Sequence, residues 1–296
     1  ALRRHTPFLP IPVHVTVRAG DGSGVDNATS ILANDAAPVW RRAATGPVDD
    51  AELNAFYREH FADEFDPLLT IPVASLELGL RGVIFVRDTR GGQREVDGHV
   101  DVLRRGITIG RDVPGLVPKY LEVQSVILEC DALPLVASRG GIRDADLPEG
   151  VPDLVRESLT QSVLLRLYGM FTEERERYEA LWPEIGPFVK YGALTDRTFS
   201  SVMARRLLLE TLDGELLTLH EFRERAPGSL VLYASDRDEQ GLLIEAHRRA
   251  GIPAILLDHV IDQPLLRALE AGNRDVRFQR LDADPVGVLG DAGANA

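Results

Sequence analysis

Arg139 is the residue whose setting in this sequence most clearly suggests contact with an anion. It lies in the segment 133–141, behind a proline-containing apolar stretch, with Ser138 before it and two glycines after it. Small neighbours leave a guanidinium accessible, and arginine suits phosphate because its planar fork is always charged and can donate two parallel hydrogen bonds. An arginine beside a glycine pair is also typical of a solvated loop, so a purely surface role stays open.

No other pattern indicates a catalytic or metal centre. The histidines at positions 5, 14, 60, 99, 220, 247 and 259 form neither an HxxxH nor an HExxH spacing, which argues against a zinc site. Ser138 is not in a GxSxG motif. Cys130 is the only cysteine, which favours a small buried side chain over disulfide or redox chemistry. We therefore predict no bound metal.

The elements that position Arg139 are predicted to form an α/β layered unit. Apolar alternation or continuous β-branched runs predict strands over 11–17, 73–80, 82–87 and 100–109. Helical spacing of Leu53, Phe56, Tyr57 and Phe61 predicts an amphipathic helix. The run from 118 to 130, which leads into the Arg139 segment, is also interpreted as helical.

Helices follow from residue 151, and a smaller α/β unit ends the chain. Apolar residues recur at helical spacing from 155 to 171 and again from 178 to 185, which predicts two helices. Pro183 and Pro187 are expected to break or kink the second helix. A third helix is predicted over 196–212. The remaining pattern is β-α-β-α-β with strands near 230–234, 252–257 and 276–281, which favours parallel pairing with right-handed crossovers. This unit lacks GxGxxG and GxxxxGK patterns, so no phosphate-binding loop is indicated.

Composition excludes several classes of protein. The 296 residues carry a net charge of −13, spread along the chain, which argues against nucleic acid or an anionic membrane as the main partner. Apolar runs are far shorter than the roughly 20 residues that span a bilayer. The first residues show no signal-peptide core, so we expect a cytoplasmic protein.

Six sequence blocks occur in a recognisable order. They are NDA and VWRR between residues 34 and 42, FYREH to DPL between 56 and 68, PKYL from 118, DALPLVASR from 131, LWPEIGPFVKYG from 181, and residues 251–262. In this order and spacing they resemble the middle domain of the heat-shock protein 90 chaperone family, as a divergent bacterial member. The resemblance covers the chain to about residue 282.

The resemblance implies a segment of an ATP-dependent chaperone that assists hydrolysis without holding the adenine. In the family, a separate N-terminal domain binds ATP, with Mg²⁺ expected beside it, and a middle-domain arginine reaches the terminal phosphate. Arg139 matches that arginine, and Ser138 stands next to it. Trp40 matches a tryptophan implicated in client contacts, although a core role beside the Phe56 helix is equally open. Partners implied are the N-terminal ATPase domain, a C-terminal dimerisation domain that makes the full protein a homodimer, and client proteins.

Departures from the family pattern concern the neighbours of Arg139. Val136, Gly140 and Arg143 stand where the family usually has an asparagine, an acidic residue and a glutamine, so the strength of ATPase stimulation stays open. The alternative function is a free-standing small-molecule enzyme that uses the C-terminal βαβ unit.

The expected organisation has four parts. A larger α/β unit over 1–150 carries the Arg139 loop, a connecting helical coil spans 151–213, a smaller α/β unit spans 214–285, and 286–296 is a linker or frayed tail. We expect this piece alone to have no ATPase activity, because it contains no phosphate-binding loop.

Overall fold

The computed structural model describes residues 6–18, 28–88, 98–135 and 142–283. The chain divides into two compact units, residues 1–166 and 167–296, and the boundary falls inside a long helix. Both units combine helices with a five-stranded mixed sheet, so the predicted α/β class is confirmed.

The first unit is organised around a mixed sheet in the order β3-β4-β7-β5-β6. β7 is central, since it pairs antiparallel with β4 and parallel with β5. β1 and β2 form a separate antiparallel hairpin. The strands are β1 His14–Arg18, β2 Ala28–Leu32, β3 Leu69–Ser75, β4 Leu80–Val86, β5 His99–Arg104, β6 Ile107–Arg111 and β7 Ser125–Cys130.

Two helices cover one face of this sheet. They are α1, Val39–Ala43, and α2, Asp50–Phe61, and Asp49 caps α2 by accepting a hydrogen bond from the Ala51 amide. Trp40 and Tyr57 from these helices pack against Val83, Phe85, Leu103 and Ile127 of the sheet. The helix predicted from the aromatic spacing is therefore confirmed, and its aromatic residues belong to the core.

The helix predicted over 118–130 is wrong. Only a short 3₁₀ turn, Lys119–Leu121, forms there, and the residues that follow it are the central strand β7. All six residues of β7 are buried. A strand buried on both faces loses its polar-apolar alternation, so its apolar run cannot be told from a buried helix by periodicity alone.

The strand predicted over 100–109 is two strands. β5 and β6 pair as a hairpin with Arg104 opposite Ile107, so Arg105 and Gly106 form a two-residue turn. Both turn residues have positive φ, at 49° and 77°. Such a turn matches the twist of the paired strands, and its second position favours glycine.

Three helices connect the two sheets along the chain. They are α3 Val151–Glu173, α4 Arg175–Thr195 and α5 Arg197–Met203. α4 runs on through Pro183 and Pro187, so of the predicted break or kink the break is wrong. The two prolines are four residues apart, so their missing N–H groups fall on the same side of the helix. Pro183 is exposed, so water can satisfy the carbonyl that loses its partner.

No described helix is long and apolar enough to cross a membrane.

The predicted helix over 196–212 ends early, at Met203, and is followed by strands. The second sheet has the order β12-β10-β11-β8-β9, and β10 pairs in parallel with both β11 and β12. The predicted β-α-β-α-β core is confirmed. Its elements are β8 Leu208–Thr211, β9 Leu216–Thr218, α6 Leu219–Arg225, β10 Leu230–Ala234, α7 Gly241–Ala250, β11 Ala254–Leu256, α8 Asp262–Gly272 and β12 Arg277–Arg280.

Both faces of this second sheet are covered. Val231 and Ile255 pack with Leu266 of α8 on one face, while Leu232 and Leu256 pack with Ile244 of α7 on the other. The first crossover runs from β10 to β11 and the second runs back from β11 past β10 to β12, so right-handed connections place α7 and α8 on opposite faces.

Candidate functional site

Arg139 and Ser138, the residues predicted to contact phosphate, lie outside the described residues, as do Val136 and Gly140. Arg143 is described and is mostly exposed; its Nε donates to an Asp146 carboxylate oxygen at 3.1 Å. This hydrogen bond holds the pKa of the Asp146 carboxyl below its usual value. Arg143 therefore has a local partner where the family has a neutral residue.

The chain on both sides of 136–141 is attached to the first sheet. Before it, the Ala132 amide donates to the Leu78 carbonyl at 3.3 Å, and Leu133 is buried. After it, the Ile142 amide donates to the Ile109 carbonyl of β6 at 2.7 Å. The two ends of the Arg139 segment are thus fixed by backbone hydrogen bonds to the β3–β4 turn and to β6.

Cys130, at the end of β7, is buried, as the sequence predicted. Its Sγ lies 3.6 Å from the Leu78 carbonyl oxygen, and burial raises the pKa of the thiol. A buried thiol with a raised pKa is a poor nucleophile, so Cys130 contributes packing.

A buried charged cluster centred on Glu129 lies immediately before this segment. Arg41 makes a two-pronged contact with the Glu129 carboxylate, at 3.0 Å from Nε and 3.1 Å from Nη2. The Nε of Arg81 lies 2.8 Å from the same carboxylate, as an ion pair without hydrogen-bond alignment, and the Gly106 amide donates to it at 2.6 Å. The Glu129 side chain is only 1% exposed. One carboxylate therefore joins α1, β4, β7 and the β5–β6 turn.

Arg41 extends this cluster to the N-terminal segment. Its Nη2 also donates to the Phe8 carbonyl at 3.0 Å, and its guanidinium lies 5.0 Å from the Trp40 ring. Sequence reasoning missed the Glu129 cluster, because its charged members, Arg41, Arg81 and Glu129, are 40 or more residues apart. The available signal was a lone glutamate within the apolar strand VILEC.

Trp40, predicted from the resemblance as a client contact, has no exposed surface in this structure. Its ring packs edge-on against Phe8, with centroids 5.5 Å apart. This burial matches the core role that the sequence left open, and an indole in this position offers nothing for a client to touch.

A second polar cluster joins α2 to the hairpin β5–β6. His60 Nε2 lies 2.7 Å from one Asp101 carboxylate oxygen, and Arg111 Nε lies 2.7 Å from the other. Burial alone would raise the pKa of the Asp101 carboxyl, but the His60 hydrogen bond and the Arg111 charge hold that pKa below its ordinary 3.8. Asp101 therefore stays ionised, with both oxygens engaged.

The turn after β10, where a βαβ unit would hold a phosphate, is occupied by its own side chains. Gln240 Oε1 accepts from the Ser235 amide at 2.7 Å, and Asp236 Oδ1 accepts from the Asp238 and Glu239 amides at 2.8 and 2.9 Å. Three acidic residues in this turn would also repel an anion. Across the described residues, no group of three metal-ligating side chains is close enough to hold an ion.

These features define an α/β fold whose described part contains a buried charged cluster and whose βαβ turn has no free amides for a phosphate. Comparisons with known proteins agree over most of the chain. The family described as Hsp90 protein matches residues 25–282. The chaperone protein HtpG of Bacteroides fragilis (strain YCH46) is 24% identical over 296 residues, which is 96% of this chain and 43% of that protein.

Two further matches extend the comparison. The mitochondrial heat shock protein 90-6 of Arabidopsis thaliana is 25% identical over 258 residues, 81% of this chain and 31% of that protein. The middle domain of a Plasmodium falciparum heat shock protein matches in structure with a TM-score of 0.60 at 10% identity, covering 81% of this chain and 99% of that domain. The chain belongs to the Hsp90 protein family and has the fold of its middle domain. It spans about two fifths of the length of the HtpG relatives.

Proposed function

We propose that this chain is the middle segment of an ATP-dependent molecular chaperone. It docks on a separate N-terminal ATPase domain, supplies Arg139 to the terminal phosphate of ATP, and contributes to the binding of unfolded client proteins. The observation that carries the proposal is the family match over residues 25–282, together with the middle-domain fold.

The described residues favour ATP binding by another domain. The turn after β10, where a βαβ unit would bind phosphate, has its amides capped by Gln240 and Asp236. We therefore assign ATP, and the Mg²⁺ expected with it, mainly to the N-terminal domain. Arg139 would add positive charge where the transferring phosphoryl group accumulates negative charge, which lowers the barrier to phosphoryl transfer.

The surroundings of the Arg139 segment support this role. Hydrogen bonds from Ala132 and Ile142 fix the chain before and after it, and the Glu129 cluster braces the strand that leads into it. An arginine that serves another domain must be presented from a rigid support, since a displacement of about 1 Å can cost roughly a hundredfold in rate.

Client binding has support from the β1–β2 hairpin. Ile11, beside it, is 65% exposed, and Ile31 and Leu32 on β2 are 44% and 48% exposed. A two-stranded ribbon leaves both faces open, so neighbouring residues that point to opposite faces are exposed together. Grouped apolar exposure of this kind favours contact with apolar segments of another protein.

A C-terminal dimerisation domain would make the full protein a homodimer.

The enzyme alternative is not favoured. It requires a reactive site at the carboxyl ends of β10 and β11, where ligands of such sheets bind. There Arg237 is paired with Glu210 and Asp258, at 2.9 Å from each. The arginine at this edge of the sheet is therefore already paired with two carboxylates and is not available to a substrate.

The test is the variant Arg139→Ala in a protein that joins this chain to its N-terminal ATPase domain. We expect the ATPase rate to fall by about tenfold or more, as for arginines that stabilise phosphoryl transfer, with little change in ATP affinity. Steady-state ATP turnover and ATP binding by calorimetry measure the two quantities.

A matched control is Arg58→Ala, which removes an exposed arginine of the first unit that pairs with Asp66 at 3.3 Å. Its ATPase rate should stay at the parent value. Weakened ATP binding with unchanged turnover in Arg139→Ala would contradict the assigned role, and stoichiometric ATP hydrolysis by the chain alone would favour the enzyme alternative.

A further inference from the structure

A cavity of 700 Å³ lies within the second unit, apart from every residue considered so far for ATP or client binding. It is lined by the end of α3, by Ser200 and residues 204–206, by the start of α6 and by the end of α8. Its volume is in the range of small-molecule sites, which is roughly 300–1,000 Å³. We call it the arginine pocket, because Arg205, Arg206 and Arg223 line it.

The pocket is positive although the chain has a net charge of −13. Its one acidic lining residue, Glu221, pairs with Arg175, whose Nη2 lies 3.0 Å from the carboxylate and whose Nε also pairs with Glu179 at 2.6 Å. Burial would raise the pKa of the Glu221 carboxyl, but hydrogen bonds from Thr218 and Arg175 hold that pKa below its usual value. Glu221 therefore stays ionised, Arg175 offsets part of its charge, and the three lining arginines still outnumber the one lining carboxylate.

Two of the three arginines have no acidic partner. Arg223 pairs with Asp275 at 2.7 Å, whereas no described carboxylate lies within 4.0 Å of Arg205 or Arg206. Of these two, Arg205 is exposed and Arg206 is partly buried. Two arginines without an acidic partner that line the same concave surface form a site for an anion.

Arg206 is held in place without using all of its donors. Its guanidinium lies 4.4 Å from the Tyr168 ring and 5.8 Å from the Phe171 ring, and it donates one hydrogen bond to the Val202 carbonyl. Its Nε–H is buried and has no acceptor within the described part of the chain. That buried Nε–H is out of reach of a ligand, but the stacked guanidinium is fixed in place and its Nη groups have donors beyond the one bonded to Val202 to offer an anion in the cavity.

The rest of the wall is apolar. Phe171, Leu219 and Leu269 line the same cavity. Inorganic phosphate alone would leave this surface uncovered, whereas a molecule that carries both an oxyanion and an apolar group would use both parts. The chemistry of the wall therefore selects an organic anion.

We propose that the arginine pocket binds a small organic anion, with its phosphate or carboxylate group on Arg205 and Arg206 and its apolar part against Phe171 and Leu269. This site is independent of the proposed role of Arg139, because it lies in the other compact unit and uses none of the same residues.

The test is calorimetric titration of the 296-residue chain with phenyl phosphate, inorganic phosphate and phenol. We expect saturable binding of phenyl phosphate, at least about tenfold weaker binding of inorganic phosphate, and no binding of phenol. Arg205→Gln should weaken phenyl phosphate binding by about tenfold, since a charge-assisted contact is lost. Arg205 is exposed, so this variant should fold normally.

Arg249→Gln is the matched control. It removes the same charge from an arginine of α7 that is 79% exposed and pairs with Glu245. Its phenyl phosphate affinity should equal that of the parent chain. Equal loss in both variants, equal affinity for phenyl and inorganic phosphate, or binding of an acidic peptide without binding of phenyl phosphate would overturn the proposal.

Discussion

At the scale of single residues, Glu129 shows how a charge can lie at the centre of a sheet. Removing a carboxylate from water costs several kcal/mol, and only close opposite charges with good geometry offset that cost. Arg41 and Arg81 supply those charges, and the Gly106 amide satisfies a further lone pair. The cluster thereby fixes which strands and turns meet at the base of the Arg139 segment.

Asp101 leads to a prediction about pH. Its folded-state pKa lies below 3.8, so its ionised form is bound more favourably in the folded chain than in the unfolded one. The resulting stability is complete above the unfolded pKa and is lost as pH falls through the lowered folded value. We expect the free energy of unfolding in urea to fall between about pH 5 and pH 2, and to fall less steeply in Asp101→Asn.

Asp66→Asn is the control for this prediction. Asp66 pairs with Arg58 at 3.3 Å, but both side chains are 50% exposed, so water screens the pair. The pH profile of this variant should follow that of the parent. If Asp101→Asn kept the full acid slope, the stability would not come from the His60–Asp101–Arg111 cluster.

Sequence analysis identified Arg139 from its small neighbours. It did not identify the buried charged cluster at the base of the Arg139 segment. Arg139 could be found because its local pattern is unusual and matches a family block. Arg41, Arg81 and Glu129 have ordinary local patterns, and only the pairing of β4 with β7 brings the last two together. Clusters that depend on strand pairing leave little trace in a single sequence.

At the scale of elements, the two-residue β5–β6 turn also makes contacts outside its own hairpin. Gly106 has a φ of +77°, and a Cβ there would lie 2.0 Å from the Phe8 carbonyl oxygen. Its amide also donates to Glu129. The turn therefore joins the hairpin, the N-terminal segment and the buried cluster.

Gly106→Ala should accordingly lower the free energy of unfolding by about 2 kcal/mol or more, from backbone strain and contact with Phe8. Urea denaturation measures it. Gly46→Ala is the control, because a Cβ there meets nothing within 4 Å, and its effect should stay within about 0.5 kcal/mol. Equal stability of the two variants would mean that the Phe8 segment yields without cost.

Elements with clear boundaries were predictable, and the central strand was not. The β-α-β-α-β order was readable because helix-terminating Gly251, in the left-handed conformation at φ 66°, separates a helical pattern from an apolar strand. β7 has no such contrast, since all of its residues are buried. The two prolines of α4 led to the prediction of a break for a different reason. Each proline removes a helical hydrogen bond, but the packing of the residues on either side outweighs that cost.

At the scale of the whole molecule, each compact unit has its own hydrophobic core. The first contains Trp40 and Tyr57, and the second contains Val231 and Ile255 on one face of its sheet and Leu232 on the other. A chain with separate cores can unfold in separate steps, for which one midpoint is not a sufficient description. The positions of its aromatic residues make this measurable.

The chain has two tryptophans, both buried and one in each unit, Trp40 and Trp182. Trp182→Phe leaves fluorescence that reports on the first unit, and Trp40→Phe leaves fluorescence that reports on the second. Adding Glu129→Gln to each should shift the Trp40 transition to lower urea by about 1–3 M, because breaking a buried ion pair costs about 3–5 kcal/mol. The Trp182 transition should not move.

Glu52→Gln, in the same two backgrounds, is the control for that shift. Glu52 pairs with Arg42 at the surface, where both side chains are about half exposed, so its loss should leave both midpoints unchanged. If Glu129→Gln moved the Trp40 and Trp182 transitions together, the two units would unfold as one cooperative structure. In that case the Glu129 cluster would stabilise the whole chain, and its effect would reach beyond the unit that presents the Arg139 segment.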